Sequence, residues 1–321
     1  MKKIPFLLLS AVVLSIALLS AAAVYPLGDR GALRNLLYTY LNEVPAPSAP
    51  SAPAPPEVVE ALLDMARVGE DDVLYDIGCG DGRIVVAAAQ KFGIRGIGVD
   101  PDPERITESI ENARAAEVAD RVRFFQGDLF AMDLSGASVV TLSLLPAATL
   151  KLRPKLLREV RPGTRVLSRD SDMGSWRFDR VIMVKDHPVY FWVVPANMSG
   201  VWKGEFRGRK GKGRYVLRIR QQFQKVGGTL SAGGVKAPLS RAEMKGSSLR
   251  FTVARGLPGM AAPVRFEGRV EGDGMQGSME SGGRKRAWTA VRDGTTIVPL
   301  DIPEGHIQTV LYRRERVKTG E

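Results

Sequence analysis

Asp76-Ile77-Gly78-Cys79-Gly80-Asp81-Gly82-Arg83 is the stretch that decides the fold. It stands between a short apolar run, Val73-Leu74-Tyr75, and an amphipathic segment, Ile84 to Phe92, so it reads as a turn from strand into helix. Glycines at such a switch allow a tight turn and let a ligand lie against backbone with no Cβ in the way. The same alternation continues outward. Val58, Val59, Leu62, Leu63 and Ala66 fall at helical spacing before it. After it come a strand at Gly96–Val99, a helix near Pro103–Ala116 and strands near Val122–Phe125 and Val139–Leu142. A helix near Leu152–Val160 and a strand at Arg165–Ser168 complete the run. Strands separated by helices pair in parallel through right-handed crossovers. Val181–Val184 and Val189–Val194 are too close for a crossover and predict an antiparallel terminal hairpin. The expected fold is α/β, a doubly wound, seven-stranded, mostly parallel sheet.

Two further carboxylates belong to the glycine turn. Asp100 ends the second strand, 24 residues after Asp76, where it can accept hydrogen bonds from both hydroxyls of a ribose. Asp128 follows the third strand, placed to accept from an adenine amino group. The three places outline a nucleoside pocket across the carboxyl ends of the strands. The glycines run G-x-G-x-G rather than the G-x-G-x-x-G of dinucleotide sites, and Asp76 and Asp81 beside them repel an anion and suit a cationic ligand. S-adenosylmethionine, with ammonium, sulfonium, ribose and adenine, is such a ligand.

Over residues 57–197 the chain resembles the class I, seven-stranded S-adenosylmethionine-dependent methyltransferases. Asp76–Ala89 (DIGCGDGRIVVAAA), Asp120–Phe130 (DRVRFFQGDLF) and Leu152–Val166 (LRPKLLREVRPGTRV) are similar to bacterial relatives of the mitochondrial lysine methyltransferases acting on the ATP synthase c-subunit and the adenine nucleotide translocator. The resemblance implies cofactor contacts for Asp76, Gly78, Gly80, Asp100 and Asp128, and N-methylation of a protein lysine. The alternatives are a small-molecule or lipid acceptor in the same pocket, or a non-catalytic nucleoside-binding envelope protein.

Displacement at a sulfonium methyl needs alignment more than a dedicated base, so no catalytic residue is singled out. The fourth strand ends Thr141-Leu142-Ser143-Leu144-Leu145-Pro146, without the Asn/Asp-Pro-Pro-Tyr that meets planar amide or base nitrogens in this superfamily. Thr141 and Ser143 lie where an acceptor is expected. Asp170 and Asp172, in the loop after the fifth strand, are placed to attract a cationic lysine.

The remaining sequence sets the context. Lys2 and Lys3 precede 22 uncharged residues, Ile4 to Tyr25, and Ala21-Ala22-Ala23 supplies small residues for cleavage, so residues 1–25 read as a membrane anchor or a signal peptide. Residues 26–56 read as a linker, proline-rich from 44. Cofactor supply favours membrane association on the cytoplasmic face, with export to the periplasm as the alternative. From 198 to 295, short alternating runs between glycine-rich turns predict a small antiparallel β-barrel or sandwich, and 296–321 a tail. The net charge of +11 divides unevenly: residues 1–56 carry +2, 57–197 carry −4 and 198–321 carry +13. That basic domain suits an anionic membrane surface. Nucleic acid is disfavoured because no aromatic recognition motif accompanies the charge. A single cysteine, Cys79, excludes an intramolecular disulfide and a thiol zinc site, and no metal is expected. The two histidines, His187 and His306, read as turn or surface residues. The expected partners are a protein substrate, membrane proteins included, or a small-molecule acceptor.

Overall fold

The computed structural model describes residues 52–208, 211–258 and 260–301. The hydrophobic segment 1–25, most of the linker and the end of the tail lie outside them. Among the described residues no helix is long and apolar enough to cross a membrane.

Helix α1 (Pro56–Ala66) starts with Pro at a position that needs no N–H and ends at Arg67, whose φ of 50° turns the chain sharply. Strands β1 (Val73–Ile77), β2 (Arg95–Asp100) and β3 (Val122–Gln126) then alternate with α2 (Arg83–Phe92) and α3 (Pro103–Ala115). The chain returns through β4 (Val139–Leu142), α4 (Pro146–Glu159) and β5 (Arg165–Arg169), and closes with the hairpin β6 (Arg180–Val184) and β7 (His187–Val193). The sheet order is β3-β2-β1-β4-β5-β7-β6, so the winding reverses between β1 and β4. In such sheets a crevice opens at that reversal, at the carboxyl ends of the strands. The seven-stranded sheet and the antiparallel terminal hairpin are those expected from the sequence.

Central strands are buried on both faces, and their side chains alternate between two cores. Val139 and Leu167 join the core under α1 and α2, while their neighbours Val140 and Val166 join the core with Leu152, Trp176 and Trp192. Helix α4 begins at Pro146 rather than near Leu152. Its first turns, Pro146-Ala147-Ala148-Thr149-Leu150-Lys151, carry little apolar periodicity of their own, and Pro154 within the helix further disguises it.

The C-terminal part is a closed, eight-stranded antiparallel barrel, β8 (Gly200–Gly208) to β15 (Arg284–Arg292), with β15 paired to β8. The apolar runs seen in the sequence become β8, β9 (Gly211–Gln222), β12 (Ser248–Val253), β13 (Val264–Glu271) and β15. Three strands carried no such signal: β10 (Lys225–Ala232) and β14 (Gly274–Ser281) are rich in glycine, and β11 (Val235–Lys245) is interrupted by Pro238 and charged residues. Gly277 shows why glycine stands there: a Cβ would lie 1.9 Å from the Glu267 carbonyl of the neighbouring strand. Trp202, Phe206, Tyr215, Phe251, Phe266 and Trp288 fill the interior. Arg292 covers the Trp202 ring at 4.9 Å and donates to the Asn197 carbonyl at 2.5 Å.

Candidate cofactor and acceptor site

The glycine turn is folded onto the end of β2. Gly78 and Cys79 both donate their N–H to the Val99 carbonyl, at 2.8 and 3.0 Å. The N–H of Gly80 donates to Asp100 Oδ2 at 2.9 Å, while Asp102 N–H donates to Oδ1 at 3.0 Å. The Asp100 carboxylate is thereby fixed by backbone on both oxygens. At Gly78, φ is 79° and a Cβ would meet Leu144 Cδ2 at 2.7 Å, so the turn packs against the loop after β4. At Gly80 a Cβ would meet nothing within 4 Å, which leaves this side of the turn open. Asp128 is exposed just past the end of β3, and its Oδ1 accepts from Phe130 N–H at 2.9 Å. Asp76, Asp100 and Asp128 thus stand at or just past the carboxyl ends of three adjacent strands.

Asp76 is fully buried, and in the β1–β4 register it lies opposite Thr141. Thr141 Oγ1 donates to Asp76 Oδ1 at 2.7 Å, whereas Oδ2 has no partner among the described residues. Burial pushes its carboxyl up to about 7; the charges of Asp100 and Asp81 push the same way, and the Thr141 hydrogen bond and the Arg169 charge oppose. Burial, together with the charge of Asp76, also drives the Cys79 thiol far upward, so it is not a nucleophile at neutral pH. Asp81 does not face the pocket as a free charge. Burial disfavours its ionisation, but hydrogen bonds and charge from Arg83 outweigh this and hold its carboxyl low. The negative character read from Asp76 and Asp81 together therefore rests mainly on Asp76 and Asp100.

On the acceptor side the structure separates the four candidates. Thr141 is 1% exposed and its hydroxyl is engaged by Asp76, so it lies beneath the cofactor residues. Ser143 is half-buried at the end of β4, its N–H donating to Ile77 O at 3.2 Å. Asp170 is exposed with φ 63°, and its carboxylate meets His187 Nδ1 at 2.9 and 3.0 Å and Arg169 Nε at 3.3 Å. Asp172 is exposed and accepts from Gly174 N–H at 2.9 Å. Sequence reasoning missed Arg169, which is buried near Asp76 and donates to the Ala52 carbonyl at 2.8 Å. It also left His187 without a role, since the Asp170 that it meets lies 17 residues away. Arg83 donates to the Ala54 carbonyl at 2.8 Å, so Ala52–Pro55, read as the end of a spacer, lies on the domain.

The ANTKMT methyltransferase domain profile matches residues 76–180, the glycine turn through the start of β6. A protein-lysine N-methyltransferase of Saccharolobus islandicus (strain REY15A) is 40% identical over 153 residues, which are 46% of this chain and 95% of that protein. The chain belongs to the ANTKMT methyltransferase family. This ANTKMT methyltransferase is S-adenosylmethionine-dependent. A human lysine N-methyltransferase named for the c-subunit of ATP synthase is 33% identical over 123 residues, 38% of this chain and 52% of that protein. An RNA methyltransferase from Salinibacter ruber, solved with S-adenosyl-L-homocysteine, is 49% identical, covering 46% of this chain and 96% of that chain with a TM-score of 0.45. The site of this ANTKMT methyltransferase fits its cofactor. A buried carboxylate oxygen without a partner among the described residues and a glycine face open to space suit a cationic nucleoside.

Proposed function

We propose that this chain methylates the side-chain nitrogen of a lysine in a protein substrate. The observation that carries this reading is the identity of 40% across nearly the whole of a relative named for that activity. Asp76, Gly78, Gly80, Asp100 and Asp128 would hold the cofactor: Asp100 at the ribose, Asp128 at the adenine, and Asp76 below the charged end. S-adenosylmethionine supplies a methyl group already activated on a sulfonium. The chain's own work is then to bind, align and desolvate. A lysine amine, with a reference pKa of about 10.4, must lose a proton before it can attack, and leaving water lowers that value. Asp170 and Asp172 favour arrival of the cationic lysine, and Ser143 stands nearest the glycine turn as a polar acceptor contact. Thr141 serves Asp76 instead.

The same reading keeps the catalytic domain beside a membrane on the cytoplasmic side, where the cofactor is made, with Ile4–Tyr25 as the tether. A reporter fused after Glu321 and active on one side only tests the side; activity in the periplasm would overturn it. The acceptor is tested by labelled-methyl transfer to membrane and soluble extracts, followed by hydrolysis. Methyllysine in the hydrolysate is expected. Label confined to RNA, lipid or small molecules would overturn the reading.

A further inference from the structure

The barrel reaches into a core of the catalytic domain through the turn that joins β9 and β10. The turn between β9 and β10 places Phe223, with φ 51° and 3% exposure, in the same core as Trp176 and Trp192. Its ring stacks on Trp176 at 5.9 Å and 12°. The indole N–H of Trp176 has no partner among the described residues, so packing against Phe223 and Trp192, rather than a hydrogen bond, fixes that ring. Beside it, Gln224 Nε2 donates to the Arg177 carbonyl at 2.6 Å. A third contact comes from the chain after the barrel. Asp301 pairs with Arg153 at 2.8 Å; Arg153 lies over the Phe223 ring at 5.5 Å and donates to the Met173 carbonyl at 2.7 Å.

The first two contacts end on one segment, Asp170 to Arg177, the loop after β5, and the third reaches it through Arg153 of α4. Its other side reaches the cofactor turn through Leu144: Ser171 Oγ donates to the Leu144 carbonyl at 2.9 Å, and Leu144 is the side chain that leaves no room for a Cβ at Gly78. We propose that the β9–β10 turn of the barrel is a positioning element for methyl transfer, with Phe223 and Gln224 holding the acceptor-side loop against the end of β4. The acceptor part of this proposal rests on the lysine reading above. The barrel is then an internal buttress, and Phe223 acts through Trp176 rather than on any reacting atom.

Hydrogen exchange on the full chain tests it without needing an acceptor. In Phe223→Ala, and more mildly in Gln224→Ala, amides of residues 170–177 should exchange about tenfold faster, while β1–β4 and β12–β14 keep wild-type rates. Phe223→Met, which retains most of the volume, should restore protection. With poly-L-lysine as the acceptor probe, the KM for the probe should rise about fivefold or more while cofactor affinity by calorimetry stays within about twofold. Unchanged loop protection in both variants overturns the proposal. So does a fall in cofactor affinity that matches the rise in acceptor KM. A wild-type enzyme that binds cofactor yet leaves poly-L-lysine unlabelled counts against the lysine reading alone, because the exchange result still decides the role of the turn.

Discussion

Asp76 combines full burial, one satisfied oxygen and one unsatisfied oxygen, and these together make its proton sensitive to the cofactor. With its carboxyl near 7, cofactor affinity should fall as pH drops below about 7, because the cationic ligand then has to displace a proton. Calorimetry in buffers of different ionisation heat would register that release, and a pH-independent affinity would refute it. Stability runs the other way. The folded chain keeps this proton up to about 7 and the unfolded chain only to about 4, so Asp76 makes the protein less stable as pH climbs between them. Asp76→Asn should therefore raise stability little at pH 4, increasingly towards pH 7 and by roughly a few kcal/mol on the plateau above it, while weakening cofactor binding; chemical denaturation across pH checks the first effect. Thr141→Val removes the donor to Oδ1 and should cost about 1–3 kcal/mol in stability or cofactor affinity and move the pH midpoint upward. Thr141→Ser should recover most of both. At this scale the sequence spoke clearly for Asp76 and Asp100, whose positions follow from strand ends. It misplaced Thr141, since an alternating strand pattern does not reveal that Asp76 and Thr141 are partners across β1 and β4. Arg169, His187 and Phe223 were illegible for the same reason: each acquires its meaning from a residue distant along the chain.

At the scale of elements, the parallel strands and the terminal hairpin were legible because their apolar runs are short, β-branched and punctuated by glycine or proline. Strands β10 and β14 were not, because glycines stand where neighbouring backbones approach and erase the apolar alternation, and β11 was not, because Pro238, its charged residues and a register shift after Ser240 break it. The edge strand β6 is apolar yet open, with Met183 63% and Val181 40% exposed. Such an edge invites pairing with another chain. Met183→Lys should lower self-association in analytical ultracentrifugation while changing stability by less than about 0.5 kcal/mol. The strap ahead of α1 makes an opposite case. Arg83 joins the glycine turn to Ala54 and to Asp81, so Arg83→Ala should cost about 1–3 kcal/mol in chemical denaturation and loosen both ends of the turn.

For the whole molecule, the charge division keeps its meaning but the separateness does not. Residues 57–197 carry −4 and 198–321 carry +13, yet a barrel residue completes a core of the acidic domain. A chain cut after Asn197 would leave Trp176 and Trp192 without their cover. Its tryptophan fluorescence should shift to the red and its melting midpoint should fall by several degrees; a full-length-like spectrum and midpoint would show that the two parts fold independently.

Ala52 is held by Arg169 at the end of β5, and Asp301 by Arg153 of α4, which also holds Met173 within the loop after β5. Load applied at Ala52 therefore acts on the last residue of β5 and load at Asp301 on α4, the two elements between which the acceptor-side loop hangs.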